Sequence, residues 1–483
     1  MPDANFTYDV LIVGTGNAAS SAALAALEKT PRVGMLEKAT QRDRGGNSML
    51  TVLMRFAFNG AEDLKPLIRN YSDDEMRPLL EGLPHRTEAE LWDEIMRVTN
   101  NQADQDMLQV HVTESLKTVH WLASKGHDWS PATIRDDNVV TMNGGGAGLQ
   151  KRNFAMLEKA GVKFHYETAA LELVQDSKGK VTGVKALTPQ GIATFNAKSV
   201  VLACGSFESN PEMRARYLGP GWDLAKVRGS RFNTGDGVRM ALEASAMPYG
   251  NWSGCHVLPT DVNTPNYGDI TLGDAFQKNS YLFGIMVNSA GQRFFDEGSD
   301  FRMYTYVKCG LAVMQQPQQL AWQVFDSKNL KLLRDEYRMR QATRLRSDTL
   351  EGLADQMEGI NRAQFLATVR EFNAAVQTQV PFDPNARDGR CTKGLAFNKS
   401  NWATTIDTPP FEAFTITAGI TFTFGGLKVN TDAQVMDIDN VPIPGLYAAG
   451  EMVGGLFYTN YPGGSGLMSG ARSEEHTSEL QSH

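Results

Sequence analysis

The feature that most constrains the fold lies in the first thirty residues, where a short apolar run leads through glycines into an alanine-rich stretch. Val10 to Val13 are typical of a buried parallel strand, and the alanine-rich stretch to about Leu27 predicts a helix. The turn between them reads GTGNAA, a GxGxxA form of the dinucleotide-binding fingerprint. In that fingerprint the first glycine allows a sharp turn, the second lets the backbone approach a pyrophosphate, and the third small residue lets helix and strand pack closely. The candidate cofactor-binding residues here are Gly14, Gly16, Asn17, Ala18 and Ala19.

A second apolar run supports this interpretation. It reads RVGMLEK and contains Glu37, about 20 residues beyond the glycines, where an acidic side chain can accept hydrogen bonds from a ribose. Small residues at a strand-to-helix turn can reflect packing alone, but the turn and the acidic residue together favour a bound nucleotide. Glu37 and the adjacent Lys38 are therefore further candidates for cofactor binding.

The next segment, QRDRGGNSMLT, indicates which nucleotide is bound. At this segment the sequence resembles the fumarate reductase and succinate dehydrogenase flavoprotein family, in which a GGNS or GGNT stretch lies along FAD. The resemblance implies an α/β fold: a Rossmann-like, discontinuous FAD-binding domain of the GR2 type with an inserted α+β capping domain. It implies that Gly45, Gly46, Asn47 and Ser48 bind FAD non-covalently, because Asn47 and Ser48 stand where covalently flavinylated members have a histidine.

The resemblance continues along nearly the whole chain. GGGAGLQKRNFAML, residues 144–157, has the glycine run and helix that precede the family's third segment, and a predicted strand, hairpin and strand follow. In the family the end of the first of these strands meets the adenine, here around Ala169. KSVVLACGSFESN repeats the strand-into-glycine turn, and NTGDGVRMALEA contains a loop that the family uses near the flavin. These two segments add Ala203, Cys204, Gly205 and Asp236 to the cofactor candidates.

Two motifs near the C-terminus complete the expected cofactor site. PGLYAAGEMVGG matches the family's final FAD strand and places Gly450 and Glu451 at the ribityl hydroxyls. YPGGSGLMSG reads as a glycine-rich turn that opens an apolar helix. Such a helix N-terminus would lie against the pyrimidine edge of the flavin, where N–H groups and the helix dipole stabilise the anionic reduced form. The candidates in this turn are Gly464, Ser465, Gly466 and Leu467.

The alternation of strand, glycine turn and helix is lost between about Asn251 and Ile420. We therefore predict an FAD-binding domain built from residues 1–250 and 421–471, interrupted by a capping domain over residues 251–420. The charged run from Lys328 to Arg346 is interpreted as the solvated face of a helix in this cap. Residues 472–483 (RSEEHTSELQSH) have no apolar stripe and resemble the translation of a DNA sequencing adapter, so we expect them to be an artefact in place of the natural C-terminus.

The cap contains the family's most diagnostic segment, GIMVNSAGQRFFDEGSDFRMYTY. A few residues after the glutamate of its VNxxGxRFxxE frame, the family places an arginine that exchanges a proton with the substrate, and Arg302 is the match. Arginine is an unusual base because its pKa lies above 12, so a closed site must favour its transient deprotonation. The alternative is a structural ion pair of Arg302 with Glu297 or Asp300. NWSGCHVLP puts His256 at the position of a substrate-carboxylate-binding histidine, with a core histidine as the alternative.

Several positions depart from those of fumarate reductases. Phe422 replaces a second histidine, Tyr461 replaces a carboxylate-binding arginine, and Gln277 and Ser280 align with the glutamate and arginine of the proton relay. These changes remove most of the groups that grip fumarate and supply it with protons, which disfavours fumarate reduction. ITFTFGGLKV, YTNYPGGSGL and DEGSDFRMYTY closely resemble instead the branch of FAD-dependent tricarballylate dehydrogenases, which oxidise a carbon–carbon single bond beside carboxylates.

This branch resemblance implies a mechanism and a set of catalytic residues. Arg302 would take a proton from the carbon alpha to a carboxylate while hydride leaves the adjacent carbon for flavin N5, converting tricarballylate to cis-aconitate. His256, Tyr461, Tyr458 and Thr423 complete the catalytic candidates by hydrogen bonding to the substrate's carboxylates. Lys278 and Arg293 could add charge, but the sequence does not place them in the site. Three alternatives stay open: a ketosteroid-type enzyme with a catalytic tyrosine, a fumarate reductase-like enzyme, and a flavin-binding subunit without turnover.

Composition limits the partners. The net charge is −8 with acidic and basic residues interspersed, so no basic stripe indicates a nucleic acid partner. The four cysteines are far apart, which predicts neither disulfides nor a metal site, and the sequence shows neither a signal peptide nor a membrane span, so we expect a cytoplasmic protein. With neither iron–sulfur nor haem motifs, the chain is expected to need a separate electron acceptor. The resemblance implies a membrane iron–sulfur and haem protein, which would make this chain a peripheral partner at the inner membrane.

Overall fold

The computed structural model describes residues 5–51, 53–69, 72, 74–75, 85–134 and 137–472. Residues 473–483, nearly all of the expected artefact, lie outside the described residues. The strands are β1 (Asn5–Val13), β2 (Val33–Leu36), β3 (Trp129–Ile134), β4 (Asp137–Met142), β5 (Lys163–His165), β6 (Ala169–Gln175), β7 (Val181–Thr188), β8 (Gly191–Leu202), β9 (Lys226–Val227), β10 (Pro248–Asp261), β11 (Ile285–Val287), β12 (Ala321–Phe325), β13 (Arg344–Ser347), β14 (Phe411–Leu427), β15 (Gln434–Met436) and β16 (Pro442–Ala448). The helices are α1 (Asn17–Ala26), α2 (Ala61–Leu64), α3 (Glu88–Val98), α4 (Gln105–Ser124), α5 (Gly145–Lys159), α6 (Pro211–Leu218), α7 (Asp236–Glu243), α8 (Arg302–Met314), α9 (Leu350–Ala354), α10 (Arg362–Ala375) and α11 (Ser465–Arg472).

The first sheet forms one side of the candidate site. Its strand order is β15–β16–β8–β1–β2–β5, and β7 pairs with β8 and with β6. β1 runs parallel to β2 and to β8, and β16 runs parallel to β8. The register places Val13 beside Leu36 and beside Leu202. The turns that follow these parallel strands therefore meet at one edge of the sheet, where α/β folds bind their ligands.

Helix α1 covers this sheet closely because its residues are small. Ala19 and Ala23 are fully buried and pack in one apolar cluster with Val10 and Ile12 of β1. α1 also contacts α5 and α11, which brings the predicted C-terminal turn next to the first turn of the chain. The α/β class predicted from the sequence is confirmed, and the strand, turn and helix of residues 10–27 lie where the apolar pattern predicts them.

The second sheet carries the other side of the site. Its order is β10–β14–β12–β11, and β13 and β9 also pair with the long strand β14. β10 and β14 are antiparallel, with irregularities in register on either side of Cys255 and His256. α8 packs on β10 and β14. The predicted domain boundaries after residues 250 and 420 fall inside β10 and β14, and they stay predictions.

The prediction of a solvated helix from Lys328 to Arg346 is wrong. The segment forms two short 3₁₀ turns, Leu330–Leu332 and Asp335–Tyr337, and then strand β13. Tyr337 is only 2% exposed, and its hydroxyl accepts a hydrogen bond from the backbone N–H of Ser280 (2.8 Å). Pairing of β13 with β14 and burial of Tyr337 thus override the helical propensity of the charged residues.

Candidate active site

A cavity of about 320 Å³, within the size range of small-molecule sites, is lined by residues of both sheets. Most of the predicted site residues line it. The predicted cofactor residues on its wall are Gly14, Gly16, Asn17, Ala18, Glu37, Lys38, Gly46, Asn47, Ser48, Ala203, Cys204, Gly205, Asp236, Gly450, Glu451, Gly464, Gly466 and Leu467. The predicted catalytic residues on its wall are Arg302, His256, Tyr461 and Thr423. The predicted residues that it does not include are Ala19, Gly45, Ala169, Ser465 and Tyr458.

The turn after β1 is held by close backbone contacts. Gly14 has a φ of +108°, and a Cβ atom there would lie 2.4 Å from the carbonyl oxygen of Ala203, so only glycine fits. Gly16 precedes α1, and the N–H of Asn17 donates to Ser48 Oγ (2.9 Å). The N-terminus of α1 therefore opens on the cavity, and its dipole favours an anion there.

Glu37 lies at the next strand end, 8% exposed. Its carboxylate accepts hydrogen bonds from the N–H of Ala39 (2.7 Å) and from the Thr15 hydroxyl. Burial raises the pKa of Glu37. Thr15 also accepts from the N–H of Gly45 (3.1 Å). This threonine, which the sequence analysis did not single out, ties the fingerprint turn to the acidic residue and to the GGNS segment.

Two neighbouring carboxylates lie beside the middle of the cavity. Glu451 lines it, and Glu208 is fully buried and accepts from Asn47 Nδ2 (2.8 Å) and Asn233 Nδ2 (2.5 Å). Glu451 accepts from the backbone N–H of Thr423 (3.0 Å). Burial and the adjacent Glu208 raise the pKa of Glu451 well above its ordinary value. The pair therefore retains a proton at a pH where an exposed glutamate has lost it.

The turn that opens α11 is fixed from two sides. Tyr461 Oη accepts from the backbone N–H groups of Gly464 (2.9 Å) and Gly466 (3.0 Å). The buried Arg55 donates from Nε to the carbonyl of Gly463 (2.7 Å) and from its backbone N–H to the carbonyl of Gly464 (3.1 Å). Tyr461 thus links the predicted flavin-facing turn to the predicted substrate end of the cavity.

At the substrate end, His256 is enclosed by aromatic rings. It stacks on Phe422 (ring centroids 4.9 Å apart, 15° between planes) and meets Tyr461 edge to face (5.0 Å, 84°). Its Nε2 lies 3.0 Å from Tyr306 Oη, and its Nδ1 has no hydrogen-bond partner among the described residues. Burial, reinforced by the charge of Arg228, lowers the pKa of His256 well below its ordinary value. His256 is therefore neutral and keeps one ring nitrogen available for a ligand.

Arg302 is the first residue of α8 and is 9% exposed. The partial positive charge of a helix N-terminus disfavours a cation, which is one condition for an arginine to act as a base. The carboxylate of Glu297 is bound by Arg293 (Nε to Oε1, 3.0 Å), and that of Asp300 by Arg97 (3.1 Å). Glu297 and Asp300 thus each bind at least one other arginine.

The positions of the family's proton relay hold a different polar chain. Asn279 Nδ2 donates to Gln277 Oε1 (2.6 Å), and Gln277 Nε2 donates to Glu336 Oε1 (3.1 Å). Arg334 Nε donates to the same oxygen (3.2 Å), and the buried Ser280 accepts through Oγ from the backbone N–H of Arg334 (3.1 Å). Asn279, Gln277 and Arg334 line the cavity, and the Glu336 side chain is 16% exposed. A titratable carboxylate near the surface is therefore connected to the cavity.

The remaining catalytic candidates lie as follows. Thr423 donates from its hydroxyl to Ser206 Oγ (2.7 Å) on the cofactor side of the cavity. Tyr458 is half-buried outside the cavity. Lys278 is fully buried and pairs with Asp261 (3.6 Å). Neither Lys278 nor Arg293 lines the cavity, and Arg293 is bound to Glu297 (3.0 Å).

A family model described as an FAD binding domain matches residues 80–467 of this chain. The chain belongs to this FAD-binding family. Among its relatives, an NADH:fumarate oxidoreductase of Klebsiella pneumoniae is 27% identical over 95% of this chain and 46% of that protein. A vinyl phenol reductase of Lactiplantibacillus plantarum is 25% identical over 98% of this chain and 97% of that protein. The chain thus spans about half the length of the first relative and nearly all of the second.

Solved structures show the same fold. The open conformation of a flavocytochrome c3 fumarate reductase aligns with a TM-score of 0.76 and 25% identity over 98% of this chain and 78% of that chain. A 3-ketosteroid Δ4-(5α)-dehydrogenase from Rhodococcus jostii aligns with a TM-score of 0.71 and 21% identity over 98% of this chain and 96% of that chain. The chain therefore has the fold of these flavoproteins, and its family shows that it binds FAD.

The residues of this FAD-binding chain fit the cofactor. Helices α1 and α11 both begin at the cavity, where their N–H groups suit the phosphates and the flavin edge. Glu37 and Glu451 offer carboxylate acceptors for sugar and ribityl hydroxyls. At Gly46 (φ +55°) an added Cβ would meet no atom within 4 Å, which leaves the backbone open to a ligand. Over the described ranges, no helix combines the length and apolar character needed to cross a bilayer.

Sequence reasoning also missed Tyr306, Glu208 and Arg228. Tyr306 lies four residues after Arg302, and this spacing places both on one face of α8, so the signal was present. No local sequence motif marks Glu208 or Arg228 as a site residue. Pairing of β9 with β14 brings Arg228 to the cavity, and Glu208 lies behind the cavity residue Asn47, to which it is hydrogen bonded.

Proposed function

We propose that this FAD-dependent oxidoreductase oxidises a CH–CH bond of a small polycarboxylic acid, and that the substrate is tricarballylate, which becomes cis-aconitate. The observation that carries this proposal is that one cavity is lined both by a buried arginine at a helix start, Arg302, and by a neutral histidine, His256. Arginine binds carboxylates by charge-assisted hydrogen bonds, and a neutral imidazole nitrogen adds a further polar contact. A substrate that carries carboxylates suits this wall.

We assign the parts of the cofactor to the predicted residues. Glu37 would accept the adenosine ribose hydroxyls, the N-terminus of α1 would hold the pyrophosphate, and Glu451 would accept the ribityl hydroxyls. Thr168 and Ala170 line the cavity on either side of Ala169, which supports placing the adenine there. The turn that opens α11 would hold the pyrimidine edge. FAD, bound without a covalent link, would supply the acceptor for the hydride that leaves the substrate.

The chain's own residues would handle the proton. Arg302, deprotonated within the cavity, takes the proton from the carbon alpha to a carboxylate, and the double bond forms as hydride leaves the adjacent carbon. His256 holds a carboxylate oxygen of the substrate by a hydrogen bond from its imidazole ring. The proton then passes through cavity water towards Glu336, whose carboxylate is held beside the cavity by Arg334 and Gln277. We propose, from the family resemblance, that the two electrons go to a separate acceptor, a membrane iron–sulfur and haem protein.

A second candidate function rests on the aromatic wall of the cavity. Tyr461 packs edge to face against Phe422 (5.0 Å, 81°) and Phe457 (4.9 Å, 87°). Its oxygen accepts two N–H groups, so its own proton can be donated to a substrate carbonyl. These features favour an enone or an alkene attached to an aromatic ring, as in a ketosteroid-type enzyme. Fumarate reductase-like activity is the carboxylate chemistry run in the opposite direction.

A substrate panel separates these functions. The FAD-loaded protein is mixed anaerobically with tricarballylate, succinate or a 3-ketosteroid, and the flavin absorbance band is followed. We expect tricarballylate to bleach the band fastest. Bleaching by the steroid alone would establish the second candidate, and bleaching by none of the compounds would contradict both.

A further inference from the structure

Arg228 is a second arginine on the cavity wall that the steps above do not use. It follows β9, which pairs with β14 through Val227 and Ile420, and its backbone N–H donates to the carbonyl of Ile420 (2.7 Å). This pairing sets its guanidinium beside Thr421, the residue before Phe422. Arg228 Nη1 donates to the Thr421 hydroxyl (3.1 Å).

Asp274 fixes the orientation of this guanidinium. Nε and Nη2 of Arg228 donate to the two carboxylate oxygens of Asp274 in a two-pronged contact. A guanidinium has five N–H groups, and three are used by Asp274 and Thr421. One N–H on each terminal nitrogen therefore makes no hydrogen bond to the part of the chain that the structure describes. The two remaining donors match the two oxygens of a carboxylate.

The charge of Arg228 reaches the substrate end of the cavity. Arg228 and Asp274 line the cavity together with His256 and Arg302. After burial, Arg228 is the next cause that lowers the pKa of His256, and its charge also opposes the rise that burial imposes on the pKa of Tyr461. The guanidinium therefore acts across the same poorly solvated space in which the proposed substrate binds.

Because Arg302 acts as the base, a tricarboxylate needs another donor for its remaining carboxylates. The histidine and arginine that the family resemblance leads one to expect are Phe422 and Tyr461 here. We propose that Arg228 binds a second carboxylate of the substrate and so selects polycarboxylates over dicarboxylates, with Asp274 as the residue that positions it. This inference rests on the proposed function and names the residue that decides its substrate class.

The test uses non-turnover ligands on the FAD-loaded protein. Citrate carries three carboxylates and malonate two, and each is titrated anaerobically while the shift of the flavin spectrum gives its dissociation constant. Hydrogen bonds between charged groups are strong. We therefore expect Arg228→Gln to raise the dissociation constant of citrate by about tenfold or more, and that of malonate by a smaller factor. Asp274→Asn sets an amide N–H group against the guanidinium and disturbs its orientation, so it should also weaken the binding of citrate more than that of malonate.

Arg231→Gln is the matched control, because Arg231 is an exposed arginine three residues away that does not line the cavity. It should leave both dissociation constants unchanged. Arg228→Lys keeps the positive charge but lacks the two parallel N–H donors of the guanidinium. This variant is used instead of Arg228→Gln if the glutamine variant does not retain FAD. It should also lose the preference for citrate.

The inference would be overturned if Arg228→Gln weakened the binding of citrate and of malonate equally, or weakened neither. Either result would leave the proposed function intact. Failure of the unaltered protein to bind either acid would overturn the proposed function itself, and the inference with it.

Discussion

Replacing Tyr461 with phenylalanine isolates the contribution of one hydroxyl to the cofactor site. The edge-to-face contacts of the ring with Phe422 and Phe457 survive the change. The lost oxygen accepts the N–H groups of Gly464 (2.9 Å) and Gly466 (3.0 Å). The variant therefore tests whether these two hydrogen bonds hold the turn in the form that receives FAD.

The two hydrogen bonds set the expected magnitude. A buried donor left unsatisfied costs about 1–3 kcal/mol, so two donors cost about 2–6 kcal/mol where water cannot reach them. In the FAD-free protein, water in the cavity can satisfy these N–H groups, whereas bound FAD excludes it. The cost therefore falls mainly on the FAD-bound state. Its lower limit, about 2 kcal/mol, corresponds to a roughly 30-fold weaker affinity for FAD.

The assay is a titration of the FAD-free protein with FAD, followed by quenching of flavin fluorescence. Tyr458→Phe is the matched control, because Tyr458 is a half-buried tyrosine three residues away that does not line the cavity. We expect the control to bind FAD like the unaltered protein. An unaltered FAD affinity for Tyr461→Phe would refute the reasoning, because it would mean that the turn does not depend on the hydroxyl.

Two further predictions follow from the site. Burial, with the charge of Arg228, holds the pKa of His256 well below its ordinary value, so unfolding takes up a proton below about pH 6.5 and stability falls as the pH drops. Urea denaturation should show that His256→Gln reduces this pH dependence by up to about 1.4 kcal/mol per pH unit, and an unchanged slope would mean that His256 titrates normally. Glu336→Gln should slow kcat on the order of tenfold by breaking the proton chain, without changing FAD affinity. Asp335→Asn, at an exposed neighbouring carboxylate, should leave kcat as it is, and equal rates for the two variants would remove Glu336 from the proton path.

The parts of the site that could be predicted from the sequence are those formed by local segments. The glycine turn at Gly14 and the acidic residue Glu37 each follow a strand whose apolar run is recognisable on its own. Parallel strand ends meet at one edge, so these local signals were enough to predict that the two turns line one cavity.

The rest depends on contacts between distant segments. Arg228 reaches the cavity through the pairing of β9 with β14. Glu208 is held at the site by a hydrogen bond from Asn47, which lies far earlier in the chain. The charged run after Lys328 has helical composition, but β13 pairs with β14 and Tyr337 is buried, so long-range packing determines its conformation. Such pairings leave no mark on local residue spacing.

The central claim is that Arg302 takes a proton from a carbon beside a carboxylate as the bond is oxidised. Anaerobic stopped-flow mixing of the FAD-loaded protein with tricarballylate tests it most directly, with dithionite as a check that the flavin of each variant can be reduced. We predict that tricarballylate bleaches the flavin of the unaltered protein, and that Arg302→Gln keeps its FAD and its response to dithionite but bleaches at least about a hundredfold more slowly. Bleaching of Arg302→Gln at the rate of the unaltered protein would contradict the account.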